Sequence, residues 1–268
     1  MSPFELLQSV ILGLVEGLTE FLPISSTGHL IIAGRLLHFD SEQAATFDIV
    51  IQLGAILAVC WHYRQRLGLV LVTLGSRSDS RRFVLHLMLA MLPAAIIGLL
   101  LHRFIKLYLF NPLTVSLALI LGGCIMLFIE RGERPVRIGT VEQLDWQDAL
   151  KLGCAQAVAL LPGVSRSGAT IMGGLLFGLS RQAATEFSFF LAIPTMFAAT
   201  GFDLLQSWHA LSQEALLFIA VGFMVSFVSA LVAIRTLLWY VGHHNFRAFA
   251  WYRILFGMLV LLFFTYIA

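Results

Sequence analysis

Apolar residues in this chain run in blocks longer and more continuous than the one-sided stripes of soluble helices. A membrane-crossing helix needs about 20 mostly apolar residues. Six stretches approach or reach that length, at roughly 47–63, 83–101, 112–130, 185–205, 214–235 and 249–267. Two further apolar regions are interrupted. One covers about 4–38 and breaks at Pro23-Ile24-Ser25-Ser26-Thr27-Gly28; the other covers about 148–178 and breaks at Pro162-Gly163-Val164-Ser165-Arg166-Ser167-Gly168. Each break leaves a second arm of only about 12 residues, too short at 1.5 Å per residue to cross the hydrocarbon. These regions are expected to form re-entrant helical hairpins. Irregular backbone at that depth persists only where protein or a wet cavity surrounds it.

Two short matches repeat at nearly one spacing. Ser41-Glu42-Gln43-Ala44-Ala45-Thr46 recurs as Ser180-Arg181-Gln182-Ala183-Ala184-Thr185, and Ser25-Ser26-Thr27-Gly28 as Ser165-Arg166-Ser167-Gly168. Each half then holds one hairpin and three full spans. An odd number of spans places the halves in opposite orientations, with the site near the midplane. The expected fold is an all-α polytopic membrane protein, with six full transmembrane helices and two re-entrant hairpins in an inverted repeat. It forms a single integral membrane domain over 1–268, with repeats at approximately 1–135 and 140–268.

Composition agrees with a lipid environment. The chain is 59% hydrophobic and 12% charged, with a mean hydropathy of +0.90, against about 25% charged residues in soluble domains. The net charge of +2 carries little information, but its distribution does. Arg64, Arg66, Arg77, Arg81 and Arg82 fill one link; Arg131, Arg134, Arg137 and Lys151 fill a second; Arg235, Arg247 and Arg253 flank a third. All three fall on one side of the expected topology, which is thereby cytoplasmic. Both termini and the first hairpin then open outward, and the second hairpin enters from the cytoplasm. Cys60, Cys124 and Cys154 lie in apolar stretches and are expected to be buried and unpaired. The N-terminus has no signal-peptide pattern, and no nucleic-acid-binding signature is present. Nothing in the sequence chooses between a monomer and a homo-oligomer.

Charged residues deep in a membrane helix cost about 2.5–3.5 kcal/mol each on insertion scales, so they point to function. Glu16 and Glu20 stand four residues apart and share a helix face. Neighbouring carboxylates need a cation or a shared proton, and a hard divalent ion binds one or two carboxylates together with phosphate oxygens. After Pro23, the run Ser25-Ser26-Thr27-Gly28-His29 reads as a turn opening a new helix, whose N-terminus suits an anion. Ser26 and His29 at i, i+3 make a candidate nucleophile and base. Attack by His29 itself, or by a water that it activates, fits equally well. In the second break, Ser165, Ser167 and Thr170 supply hydroxyls, and Arg166 supplies a planar fork suited to phosphate. Ser25 and Thr27 are expected to join them as phosphate contacts. Asp48, Gln52 and Glu186 are read as supporting polar contacts. Buried carboxylates on an inverted repeat also suit a secondary transporter or a lipid-phosphate flippase; the combination of Ser26, His29 and Arg166 favours phosphoryl chemistry.

The stretches GLVEGLTEFLPISSTGHL, from Gly13 to Leu30, and LPGVSRSGAT, from Leu161 to Thr170, resemble the two signature motifs of the undecaprenyl-diphosphate phosphatase family, the BacA or UppP type. The resemblance extends over the chain in length and span pattern. It implies removal of the terminal phosphate from undecaprenyl pyrophosphate, a polyprenyl pyrophosphate lipid, to recycle the carrier for peptidoglycan synthesis in the bacterial plasma membrane. It also implies a divalent cation, Mg²⁺ or Ca²⁺, held by Glu16 and Glu20, a link to bacitracin resistance, and a site facing the periplasm. The family's acidic, serine, histidine and arginine positions correspond to Glu16, Glu20, Ser26, His29 and Arg166.

Overall fold

A computed structural model describes residues 2–39, 44–132, 134–207 and 213–266. Its regular structure is helical, with no strand among the described residues. In chain order the helices are α1 (Pro3–Thr19), α2 (Ser26–Leu36), α3 (Ala44–His62), α4 (Arg64–Thr73), α5 (Ser78–Phe104) and α6 (Pro112–Ile129). They continue as α7 (Trp146–Ala157), α8 (Arg166–Leu176), α9 (Arg181–Ser207), α10 (Gln213–Val241) and α11 (Arg247–Tyr266).

Local chemistry explains the boundaries. Ser2 and Glu5 form a capping box at the start of α1, with Pro3 in the first turn. The Asn111 side chain accepts from the Thr114 N–H at 2.9 Å, and Pro112 opens α6. Asp145 caps α7 through the Asp148 N–H. Proline also sits inside α5 (Pro93) and α9 (Pro194), a placement that neighbouring helices tolerate in membranes.

Among the described residues, five helices are long and apolar enough to cross a membrane: α5, α6, α9, α10 and α11. A sixth span results if α3 and α4, bent by 74° at Tyr63, are taken together. The expected stretches at 83–101, 112–130, 185–205, 214–235 and 249–267 thus correspond to continuous helices, and 47–63 to α3. The Ser41–Gln43 part of the repeated motif lies outside the described residues.

Both expected interruptions are present. Helices α1 and α2 are separated by residues 20–25; α7 and α8 are separated by a 3₁₀ turn, Val158–Leu160, and the segment 161–165. Helix α1 packs against α10, α7 against α5, α3 against both α9 and α10, and α6 against α11. The α1–α10 approach is close. A β-carbon on Gly17 would stand 2.1 Å from Ser229 Oγ and 2.3 Å from the Ser226 carbonyl, so the small residue sets the helix separation. The largest buried cluster draws on α3 and on α5 through α11. Phe21, at the first break, reaches into it and packs edge-on against Phe189 at 5.3 Å. Leu99, Leu121, Phe128, Leu255 and Leu262 point outward, as lipid-facing side chains do.

Two expectations are corrected. Cys124 and Cys154 are exposed on the helix exteriors rather than buried, and Cys60 is half-buried; all three are free thiols. Arg253 does not belong to the basic link before α11. It is 2% exposed and points into the protein, leaving Arg235 and Arg247 to represent that link.

Candidate active site

The site is built where the two breaks meet. Helix α1 ends at Thr19 and its C-cap is Glu20, so the carboxylate sits at the turn itself. Pro23 prevents the helix from continuing, and Ser26 begins α2. Ser26 Oγ donates to Glu20 Oε2 at 2.6 Å in a buried hydrogen bond. One turn back along α1, Glu16 is fully buried, and neither of its carboxylate oxygens has a partner.

Arg166 arrives from the second break as the first residue of α8. Its Nη2 donates to Glu20 Oε1 at 3.5 Å and its Nη1 to the Ser188 carbonyl of α9 at 3.1 Å. Its Nε is buried without a partner. The guanidinium carbon lies 5.9 Å from the Phe21 ring centroid. Arg166 and Ser26 therefore converge on one carboxylate from opposite breaks.

The second break's hydroxyls serve structure. Ser165 Oγ caps α8 by accepting from the Gly168 N–H at 3.0 Å and lies 2.9 Å from Ser167 Oγ. Ser167 Oγ donates to the Leu22 carbonyl of the first break at 2.9 Å. Thr170 donates to the Arg166 carbonyl and lies 2.6 Å from Ser188 Oγ. Ser165, Ser167 and Thr170 thus fasten the second break to the first and to α9, rather than presenting free hydroxyls to a phosphate. In the first break, Ser25 has φ +73°, and α2 carries no side-chain cap. Its first-turn N–H groups remain open to an anion. Thr27 is half-buried in that turn.

Ser26 and His29 are not joined. His29 Nδ1 lies 2.7 Å from the Ser25 carbonyl, which can only accept, so Nδ1 carries the proton. Nε2 lies 2.6 Å from the Tyr252 hydroxyl of α11, and the ring stacks on Phe256 at 4.1 Å. Both nitrogens are engaged away from Ser26, and the side chain that its hydroxyl contacts is Glu20.

Sequence reading missed Arg253. Its guanidinium donates to four carbonyls: Pro23 at 3.2 Å, Gly163 at 3.1 Å, Ala118 at 3.2 Å and Leu119 at 3.4 Å. One side chain thereby ties both breaks to α6. No carboxylate is within ion-pair distance of it among the described residues, and its four carbonyl contacts meet most of its donor capacity. Gly163 can take part because its φ is +89°. A β-carbon there would meet the Val115 carbonyl at 2.6 Å. The sequence did carry a signal: six residues into an apolar helix, an arginine needs a protein partner.

Of the supporting residues, Glu186 pairs with Arg66 at 3.7 Å and accepts from Gln182. Asp48 and Gln52 make no side-chain hydrogen bond among the described residues.

Glu16 suits a divalent cation, because a buried carboxylate with two unused acceptors calls for a positive partner. No group of three or more His, Cys, Asp or Glu side chains forms a complete metal site among the described residues. A cation here would take further oxygens from water and a bound phosphate, the usual arrangement for Mg²⁺.

Comparison with known proteins identifies the family. The family model for bacitracin resistance protein BacA matches residues 9–259. The undecaprenyl-diphosphatase of Nitrosospira multiformis is 59% identical over 262 residues, covering 98% of this chain and 96% of the relative. Undecaprenyl-diphosphatase 1 of Paraburkholderia xenovorans is 57% identical over 260 residues, covering 95% and 94%. The undecaprenyl-diphosphatase of Methylococcus capsulatus is 57% identical over 255 residues, covering 95% and 93%. A match across nearly the whole chain, including both breaks, places this protein in the BacA family.

Proposed function

We infer that this protein is a membrane phosphatase that hydrolyses undecaprenyl pyrophosphate to undecaprenyl phosphate, returning the lipid carrier to peptidoglycan synthesis. One observation carries the reading. Around the Ser26–Glu20 hydrogen bond, Glu16 leaves two buried acceptors unfilled and Arg166 leaves one buried donor unfilled. A phosphate accompanied by a cation fills both at once. Withdrawal of the same lipid by bacitracin explains the family's resistance phenotype.

Ser26 Oγ attacks the terminal phosphorus, and its proton passes to Glu20. The bond from that phosphorus to the bridging oxygen breaks, and the lipid monophosphate leaves with the proton returned from Glu20, which is again a carboxylate. Water then attacks the phosphoserine, with Glu20 as base, to release phosphate and restore Ser26. Arg166 and the uncapped N-terminus of α2 stabilise charge on the transferring phosphoryl, where positioning and electrostatics supply most of the acceleration. Glu16 and Glu20 would hold Mg²⁺ or Ca²⁺, whose chemistry when bound is neutralisation of the phosphate oxygens. His29 lines the site and is not the base for Ser26.

The finer architecture is proposed on the same footing. The chain forms one membrane domain of two inverted repeats, approximately 1–135 and 140–268, with α1–α2 and α7–α8 as re-entrant hairpins. Exchange of the halves converts the α1–α10 packing into the α7–α5 packing, and both pairs occur. That symmetry supports the inverted repeat. The basic links then face the cytoplasm of the bacterial inner membrane, and the site faces the periplasm.

The test is phosphate release from undecaprenyl pyrophosphate by purified protein with Mg²⁺, with Ca²⁺ and with chelator. Metal-dependent release is expected, and its absence in folded protein with any metal would remove the phosphatase reading. Repeat symmetry also favours a second role, inward passage of the lipid monophosphate. Counting that passage in proteoliposomes with Glu20→Gln separates it from catalysis, and no movement refutes it.

A further inference from the structure

A prenyl pyrophosphate must keep its head at Ser26 while its tail reaches lipid, so the site needs a lateral wall. Helix α8 encloses the site on its side, with residues 170–175 buried. Helix α2 does not. From Thr27 onward it is half-buried except at Gly28 and Ile32, and it becomes exposed at Arg35 and Leu36. On that side its His29 meets α11. There His29, one turn after Ser26, meets Tyr252 and Phe256 in a stack of near-parallel rings. The His29 and Tyr252 ring centroids are 5.6 Å apart with planes 2° from parallel; those of His29 and Phe256 are 4.1 Å apart and 10° from parallel. The hydroxyl-to-Nε2 hydrogen bond, 2.6 Å long, fixes the orientation of both.

Tyr252 is 43% exposed, so its ring touches the active-site histidine and also borders the surrounding lipid. Farther along the seam, Ile31, Phe256 and Phe264 pack over Ile32, Val115 and Val260. A groove of about 450 Å³ follows at the far ends of α2, α6 and α11. Apolar side chains therefore line the seam from the head of α2 toward a groove whose lining mixes Leu113, Leu261 and Phe264 with Asn111, Ser116 and Thr265. Because α11 also carries Arg253, which holds both breaks through Pro23 and Gly163, a fixed helix presents the wall. Tyr252 and Arg253 are adjacent, so their positions relative to the site are coupled.

We propose that Tyr252 and Phe256 form the platform on which the first isoprene units of the substrate lie, making Tyr252 a specificity-determining residue for a polyisoprenoid tail. This proposal rests on the phosphatase reading for its substrate. An isoprene unit is a branched, unsaturated hydrocarbon, and flat aromatic faces beside an anion site offer it apolar contact without a hydrogen-bonding demand. The Tyr252 hydroxyl contributes by holding His29 edge-aligned with that surface, not by touching phosphate.

Two arms test the platform. In the first, Tyr252→Ala raises KM for prenyl pyrophosphate about tenfold, corresponding to loss of a few tens of Å² of apolar contact, with kcat changed less than threefold. Tyr252→Phe, which keeps the ring, recovers most of the lost affinity. In the second, wild-type protein is photolabelled with farnesyl pyrophosphate bearing a diazirine on its first isoprene unit. The label is expected within α11, between residues 250 and 258, and unmodified lipid competes it away. Unchanged KM in folded Tyr252→Ala, or labelling confined to α5, α8 or α10, overturns the platform. Labelling needs no turnover, so it decides the tail's path even if phosphate release, the test of the phosphatase reading, fails.

Discussion

Helices α2 and α8 each have 11 residues and each follows a proline-containing break, yet eight residues of α8 are buried against three of α2. Ser165 caps α8 with an ordinary extended backbone, whereas Ser25 precedes α2 at φ +73° without a side-chain cap. The hydroxyls of the second break are used up in fastening it to Leu22 and Ser188. In the first break, Ser26 is bonded to a carboxylate and the α2 N-terminus is open. Similar sequences have thus been put to different uses. One break is fastened by its hydroxyls and brings a single arginine to Glu20; the other holds Ser26 against that carboxylate. The positive φ of Ser25 and the two unpartnered Glu16 oxygens lie in the first region, and the second brings the unpartnered Arg166 Nε to the same place.

Substitutions at the two breaks should therefore fail differently. Glu20→Gln keeps the shape and removes the base, so kcat for phosphate release should fall by about 10³-fold or more, within the range for lost general-base catalysis. His29→Gln should lose much less, roughly tenfold, because His29 does not contact Ser26; equal losses would return the base to His29. Next, Arg166→Ala should lower kcat by about 10²-fold, the scale for removing one charge-stabilising donor. Its fold should be retained, as checked by gel filtration in detergent.

Ser167→Ala tests the scaffold side. Loss of its bond to the Leu22 carbonyl should cost about 1–2 kcal/mol of stability, read as a lower Tm, with kcat reduced less than tenfold. A kcat loss as large as that of Arg166→Ala would place the Ser167 hydroxyl in the phosphate site. The smallest effect should come from Ser25→Gly. Glycine accepts positive φ without strain, so stability should rise by about 1 kcal/mol or less. A fall would show that the Ser25 side chain has a role that its backbone does not reveal.

Much of this arrangement was legible in the sequence because lipid is an exacting solvent. Long apolar runs, and the prolines at 23 and 162 that end two of them, gave the spans and the breaks directly. Glu16, Glu20 and Arg166 stood out because buried charge is costly and therefore conspicuous. Hydrogen-bond direction was not legible. Spacing put His29 within reach of Ser26, but the Ser25 carbonyl and the Tyr252 hydroxyl, one of them 223 residues away, took both ring nitrogens. Arg253 was misplaced for a related reason. Proximity to a basic loop suggested a surface cation, and only tertiary packing shows that four carbonyls receive it. The bend at Tyr63, which divides α3 from α4, has no proline or glycine at the corner to announce it.

The central claim is that Ser26, activated by Glu20, carries the phosphoryl group. Rapid acid quench of wild-type protein with terminally labelled undecaprenyl pyrophosphate, followed by peptide mapping, tests it most directly. The account predicts an acid-stable phosphoserine at position 26 that appears before free phosphate and is absent in Ser26→Ala. An acid-labile label on His29, or a full burst of free phosphate with no protein-bound label at any time, would contradict it.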